Sequence, residues 1–146
     1  MNLKHYDYNP SLQFDEYTFY SDGPKGRIKK LVLYSCISED PLIFNIAFGD
    51  VDRYGEINDR INSNNNDRDV VLATVVRTIN DFSNKYGNNL IFAIGSTPAR
   101  TRLYQMGISR LLNELCQYFD LWGYSNDKWQ GFERNINYDS FLVRRK

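Results

Sequence analysis

The stretch Leu90-Ile91-Phe92-Ala93-Ile94-Gly95-Ser96-Thr97-Pro98-Ala99-Arg100-Thr101-Arg102-Leu103-Tyr104 reads as a strand that turns directly into a helix. Leu90–Ile94 is a short continuous apolar run, the pattern of a central strand. Thr97 is placed to cap a helix, and Pro98 suits the first helical position, where an N–H would be unpaired anyway. Leu103, Tyr104, Ile108, Leu111, Leu115 and Tyr118 then recur at helical spacing, so the helix is expected to reach about Phe119. Gly107 lies inside it at a cost of roughly 1 kcal/mol against Ala, which predicts a close packing contact or a kink.

Upstream, Val71, Val75, Thr78 and Phe82 mark an earlier helix, widened by Leu72, Val76 and Ile79. Asn66 is its expected N-cap, Asp67 and Asp69 suit the positive end of its dipole, and Gly87 is its expected stop. Further back, Tyr17 and Phe19 alternate with polar neighbours. Ser21–Gly26 is a dense turn signal, and Ile28–Ile37 and Leu42–Phe48 read as two more strands. Phe44, Ile46 and Phe48 share one face. Residues 49–66 form a long polar connection, a length that is often functional in compact domains. Downstream, two short strands are expected around Leu121–Tyr124 and Trp129–Arg134, with Ser140–Val143 as a candidate for one more. The order β-β-β-α-β-α-β-β predicts an α+β domain, with a mostly antiparallel sheet and two long helices packed on one face. Residues 1–13 read as a polar, Tyr-rich lead-in arm, 14–143 as the single domain, and Arg144-Arg145-Lys146 as a basic tail.

The 146 residues suffice for a core without disulfides or metal. Aromatics reach 15%, with 11 Tyr and 9 Phe, which excludes a disordered chain. With 18 Lys+Arg against 18 Asp+Glu, the overall basic excess of many nucleic-acid binders is missing, although a local patch is not excluded. No apolar stretch has signal-peptide or membrane-spanning length, so a cytoplasmic protein without membrane contact is expected. Cys36 and Cys116 sit in apolar surroundings and are expected as buried, reduced thiols. Two Cys and one His cannot assemble the usual zinc site, and His5 is expected to be solvated.

The turn Gly95–Arg102 has the ingredients of a phosphate cradle. A helix start attracts anions, Gly95 admits a close backbone approach, Ser96 and Thr97 bring hydroxyls, and Arg100 and Arg102 bring forked donors. It lacks the spacing of a Walker motif. Plain helix capping explains the same residues. Asp50 and Asp52, followed by Glu56, Asp59, Asp67 and Asp69, raise the possibility of a Mg²⁺ site of a nuclease, with solvated loop acids as the competing explanation. Residues 1–66 hold 7 Lys/Arg and 10 Asp/Glu, whereas 67–146 hold 11 and 8. The basic tail with Trp122, Tyr124 and Trp129 nearby suits RNA contact by stacking, or these aromatics are core.

Phe48-Gly49-Asp50, Ser63-Asn64-Asn65-Asn66-Asp67, Val71–Val75 and Gly95–Tyr104 together resemble a small bacterial family of unknown function. Its pattern, AFGD…SNN.D…VLATV…GST.ARTRLY, is matched over roughly residues 14–134. The resemblance implies a single domain of this length and no particular reaction. It directs attention to Gly95–Tyr104 and to the Asn-rich loop. The expected function is a binding module for a phosphate, a nucleotide or a nucleic-acid backbone at Gly95, Ser96, Thr97, Arg100 and Arg102, with Asn64, Asn65 and Asp67 as polar contributors. A defence or toxin–antitoxin setting is an analogy. A protein partner or homodimer with an aromatic interface is the second reading. The third is a Mg²⁺-dependent nuclease or phosphoryl-transfer enzyme built on Asp50 and Asp52. Apart from that ion, no cofactor is expected.

Overall fold

A computed structural model describes residues 1–58 and 64–146. The elements are β1 (Tyr8–Pro10), β2 (Glu16–Gly23), β3 (Gly26–Glu39), β4 (Leu42–Asp50), α1 (Arg68–Tyr86), β5 (Leu90–Ala93), α2 (Pro98–Leu115), β6 (Phe119–Ser125), β7 (Lys128–Gly131) and β8 (Ser140–Arg145). Among the described residues the eight strands form one mixed sheet in the order β1-β2-β3-β4-β5-β8-β6-β7. This is the expected α+β architecture, with both helices against one face.

Strands β1 to β4 are antiparallel neighbours. Helix α1 carries the chain back across the sheet, so β5 pairs parallel to β4. Parallel pairing needs such a crossover. Helix α2 repeats the move, and β8 fills the slot left between β5 and β6, antiparallel to both. That direction for β5 was open from sequence, because pattern alone does not say where a strand is inserted.

Alternation along the strands decides what faces the helices. Tyr17, Phe19, Val32, Tyr34, Ile46, Ile91, Phe119 and Phe141 are all buried. Val75, Val76, Ile79, Phe82 and Leu115 meet them from the helices. Much of the Tyr and Phe content is spent here: Tyr34 stacks on Phe82 at 4.0 Å, and Phe44 meets Phe82 edge-on at 4.9 Å.

Thr97 caps α2 and Pro98 opens it, as expected, and Gly87 ends α1 with its N–H on the Ser83 carbonyl. Three expectations are corrected. The N-cap of α1 is Asp67, one residue later than Asn66, which adopts φ 60. Helix α2 stops at Leu115. Tyr118 continues the apolar period, but Phe119 is already paired with Arg145 in the sheet. Both cysteines are free and exposed: Cys36 sits at the register shift near the β3–β4 turn, and Cys116 caps α2. Each stands where its element leaves the core, a position the apolar neighbours do not reveal.

Residues 1–13 are woven into the fold. Met1, Leu3, Tyr6 and Tyr8 pack on the core. Tyr6 N–H donates to Thr74 Oγ1 (2.9 Å), Tyr8 OH donates to Asp81 (2.6 Å), and β1 extends the sheet. The His5 ring contacts the Tyr6 carbonyl at 2.9 Å through Nδ1. Arg144 and Arg145 of the basic tail belong to β8, and Arg145 reaches Asn80, Asn84 and Asn88. Among the described residues no helix is long and apolar enough to cross a membrane.

The buried phenols make the fold sensitive to alkali. Burial holds the Tyr34 pKa well above its ordinary 10.0, and burial likewise raises Tyr8 and Tyr17. Above about pH 10 an unfolded chain releases phenolic protons that the folded one retains, so unfolding becomes easier. This stability is complete below that pH and is lost as pH rises through the folded values. A Tm that falls beyond pH 10, less steeply in Tyr34→Phe, is the expected result. A level Tm would contradict it.

Candidate functional site

Counting back along β3 from Tyr34 and Val32, the next helix-facing position is Lys30. Counting forward along β4 from Phe44, Ile46 and Phe48, it is Asp50. The two are direct partners in the β3–β4 register. Lys30 is 8% exposed and Asp50 4%, and the ammonium bonds one oxygen of the carboxylate. The other oxygen, Oδ2, has no hydrogen-bond partner. A buried ion pair with unused capacity is poor value for stability and a reasonable marker of function.

Lys30 lines a cleft of about 120 Å³ between the sheet, the start of α1 and the middle of α2. Phe48, Val71, Leu72, Leu103 and Tyr104 make its apolar walls, with Phe48 and Tyr104 rings 4.9 Å apart. At the mouth stand Arg68, Arg110 and Asp67. Gly107 is also in the wall, where a Cβ would strike Leu72. The expected close contact at this glycine is therefore the α1–α2 approach. Lys30 offers three N–H donors, and the carboxylate of Asp50 is the acceptor it meets. Arg110 bridges to Asp69 at 2.8 Å on the surface, and such exposed pairs are weak.

Arg110 lines two further clefts. One runs past Asn64, Asn66, Arg68 and Asp69 at the start of α1, which has no side-chain cap. The other passes Arg102, Gln105, Ser109, Asn135 and Asn137 and has no acid in its lining. Arg134 joins this side by donating to the Ser109 carbonyl at 3.1 Å.

The Asn-rich loop is a clasp between the β2–β3 hairpin and α1. Asn65 is 1% exposed. Its amide donates to Ser21 Oγ (3.0 Å) and the Gly26 carbonyl (2.9 Å), and its Oδ1 accepts from Lys25 N–H (2.8 Å). Gly23 leaves room for the Asn65 backbone, which a Cβ would strike. The Asp67 carboxylate accepts from Tyr6 OH (2.6 Å) and from Ser21 Oγ, so it does not cap its own helix. Asn64 is exposed and accepts from Asn66 N–H (3.1 Å). Ser63 and Asp59 lie outside the described residues.

At Gly95–Arg102 two of the backbone donors serve the turn itself. Gly95 N–H donates to Thr101 Oγ1 (3.0 Å), and Arg100 N–H donates to Thr97 Oγ1 (3.2 Å). Pro98 has no N–H. A Cβ on Gly95 would strike the Thr101 backbone. The glycine thus serves the tight turn from strand to helix. Gly95, Ser96 and Thr97 line a separate shallow cleft that also holds Asp139. Arg102 points the other way in function, donating to Asn137 Oδ1 (2.7 Å) in the cleft shared with Arg110. Of the five expected anion ligands, Gly95, Ser96 and Thr97 are therefore parted from Arg102.

Asp50 and Asp52 also part company. Asp52 Oδ1 accepts from Tyr54 N–H (2.8 Å) and Glu56 N–H (3.0 Å), closing a turn, while Asp50 faces Lys30. Among the described residues, no group of three or more His, Cys, Asp or Glu side chains is placed to hold a metal ion.

Lys30, Arg68 and Arg110 are not singled out by the sequence reading, whereas Tyr104 closes the Gly95–Tyr104 block that it marks. The legible signal was the inward register of Lys30 and Asp50 in otherwise apolar strand faces.

A mixed sheet covered on one side by two helices, with a half-apolar, cation-lined cleft between the start of α1 and the middle of α2, defines a small two-layer α+β protein. The chain belongs to the family described as "Family of unknown function (DUF6934)", which it matches over residues 2–146. No curated protein and no solved structure matches it.

Proposed function

We propose that this protein binds a phosphate-bearing ligand, a nucleotide or a nucleic-acid strand, in the cleft between α1 and α2. The observation that carries the reading is Lys30: a buried ammonium lining a cleft, with donors to spare and Arg68 and Arg110 at the mouth. The space beside Lys30, about 120 Å³, is below the roughly 300 Å³ of a typical ligand pocket. It takes a single phosphate or a similarly small group. The rest of the ligand lies outside, over Arg110 and toward Arg102, where amide side chains and arginines suit a sugar–phosphate chain. Arg102 is the member of the sequence-derived set that this reading retains.

A thermal-shift panel with inorganic phosphate, nucleotides, and short RNA and DNA tests it. Ligand at 100 times its Kd adds roughly 2.7 kcal/mol, a rise in Tm of several degrees. The rise is expected in wild type, reduced in Arg102→Ala and absent in Arg68→Ala/Arg110→Ala. These three arginines are exposed, so the variants should fold normally. No rise with any of these compounds, or a rise that the double variant keeps, would overturn the reading.

A further inference from the structure

The helices cover one face of the sheet, and the other face carries an aromatic surface of its own. The register aligns Phe92 of β5, Leu142 of β8 and Trp122 of β6 across three strands. Beside them Trp129 of β7 is opposite Tyr124 and meets Phe92 and Tyr124 at centroid distances of 6.3 and 5.1 Å. None of these five is buried, and Trp129 is 40% exposed. Ile94, 50% exposed, follows β5. Trp122 and Trp129 are the two tryptophans of the chain. Contiguous apolar surface of this kind marks an interaction site.

We infer that this open sheet face is where a second copy of the chain docks. Charge selects the occupant. By strand alternation the face carries the acids Glu16, Asp22 and Asp120 and the bases Arg27, Lys29 and Arg144. Arg144 sits 5.3 Å from the Trp122 ring and 3.6 Å from Asp120, and Arg27 lies over Tyr20. A balanced face has no electrostatic preference for a polyanion or a strongly charged partner. A second copy presents the same balanced set, so two such faces meet without a net charge of one sign to oppose them. Size agrees. The strands average about seven residues, so eight of them spaced by about 4.8 Å, at about 3.3 Å per residue, present a footprint on the order of the roughly 800 Å² per partner in a stable interface. Two sheets packed face to face are also a standard way to bury such surfaces.

Sedimentation velocity and tryptophan emission, followed from high micromolar to nanomolar concentration, test the inference. The wild type is expected at twice 17.2 kDa at the high end. Dilution should give the monomer, with emission moving to the red and becoming more open to quenching by acrylamide. Trp129→Glu and Ile94→Glu, at exposed positions, are expected to remain monomeric with unchanged circular dichroism. Met106→Glu, exposed on α2, should still dimerise. A wild type that is monomeric at high micromolar concentration would overturn the inference. So would a dimer that survives both sheet-face variants or that forms without any change in emission. Because the face lies opposite the helices, loss of dimerisation leaves the phosphate panel to succeed or fail by itself.

Discussion

Lys30→Ala is expected to cost about 3–5 kcal/mol of stability, because it strands the Asp50 carboxylate in the core without its cation. Asp50 is 4% exposed and one of its oxygens already lacks a partner, so the carboxylate keeps no protein partner once the ammonium is gone. Against a total of roughly 5–15 kcal/mol for a domain, the variant should melt on the order of 10 °C lower. The companion variant Lys30→Met/Asp50→Leu removes both charges and fills similar space. It is expected to recover most of the loss or to exceed wild type, since apolar replacements of buried pairs are often neutral or stabilising. If the cleft is the binding site, this stable double variant no longer responds to phosphate-bearing ligands. Chemical and thermal unfolding measure the first effect and the ligand panel the second. A single variant as stable as wild type would show that Asp50 reaches another partner. A double variant that stays as unstable as the single would assign the pair a structural role that packing cannot replace.

Asn65→Ala is the second large loss, about 3 kcal/mol. It deletes three hydrogen bonds at a fully buried side chain and leaves Lys25 N–H, the Gly26 carbonyl and Ser21 Oγ to find other partners. The damage should be local at first, freeing the β2–β3 hairpin from the start of α1. Hydrogen exchange at residues 21–26 would then rise well before the rest of the sheet. Asn64→Ala, one residue away on the surface, should stay within about 0.5 kcal/mol of wild type. Equal stabilities for the two variants would refute the clasp. The contrast matters for function, because Asn64, Asn65 and Asp67 look alike in sequence. In the structure only Asn64 is free of the clasp, lining the outer cleft beside Arg68.

The same distinction runs through the Gly95–Tyr104 block. Its hydroxyl and glycine positions suit an anion and suit a helix cap equally well. The cap is what the hydrogen bonds display, with Thr97 Oγ1 on Arg100 N–H and Thr101 Oγ1 on Gly95 N–H. Leu103 and Tyr104 at the end of the block instead wall the Lys30 cleft. A motif held together by sequence is thus divided between a turn, a cleft wall and, through Arg102, a basic surface.

Local patterns were enough for the two helices, the cap at Thr97, the stop at Gly87, the strands β2 to β8 in outline and the α+β class, because period and capping act over a few residues. They also contained the inward positions of Lys30 and Asp50, readable by counting along two strands. What a sequence does not carry is proximity between distant segments. The insertion of β8 between β5 and β6 depends on which free sheet edge remains when the chain arrives. The packing of residues 1–10 across α1 depends on a groove that exists only once α1 is seated. The gathering of Lys30, Arg68, Tyr104 and Arg110 around one cleft, and of Phe92, Trp122, Tyr124 and Trp129 on one open face, is a product of strand register and helix approach. Burial and charge pairing are properties of three-dimensional neighbours, so tertiary structure alone decided which polar residues lock the fold and which are left to meet a ligand.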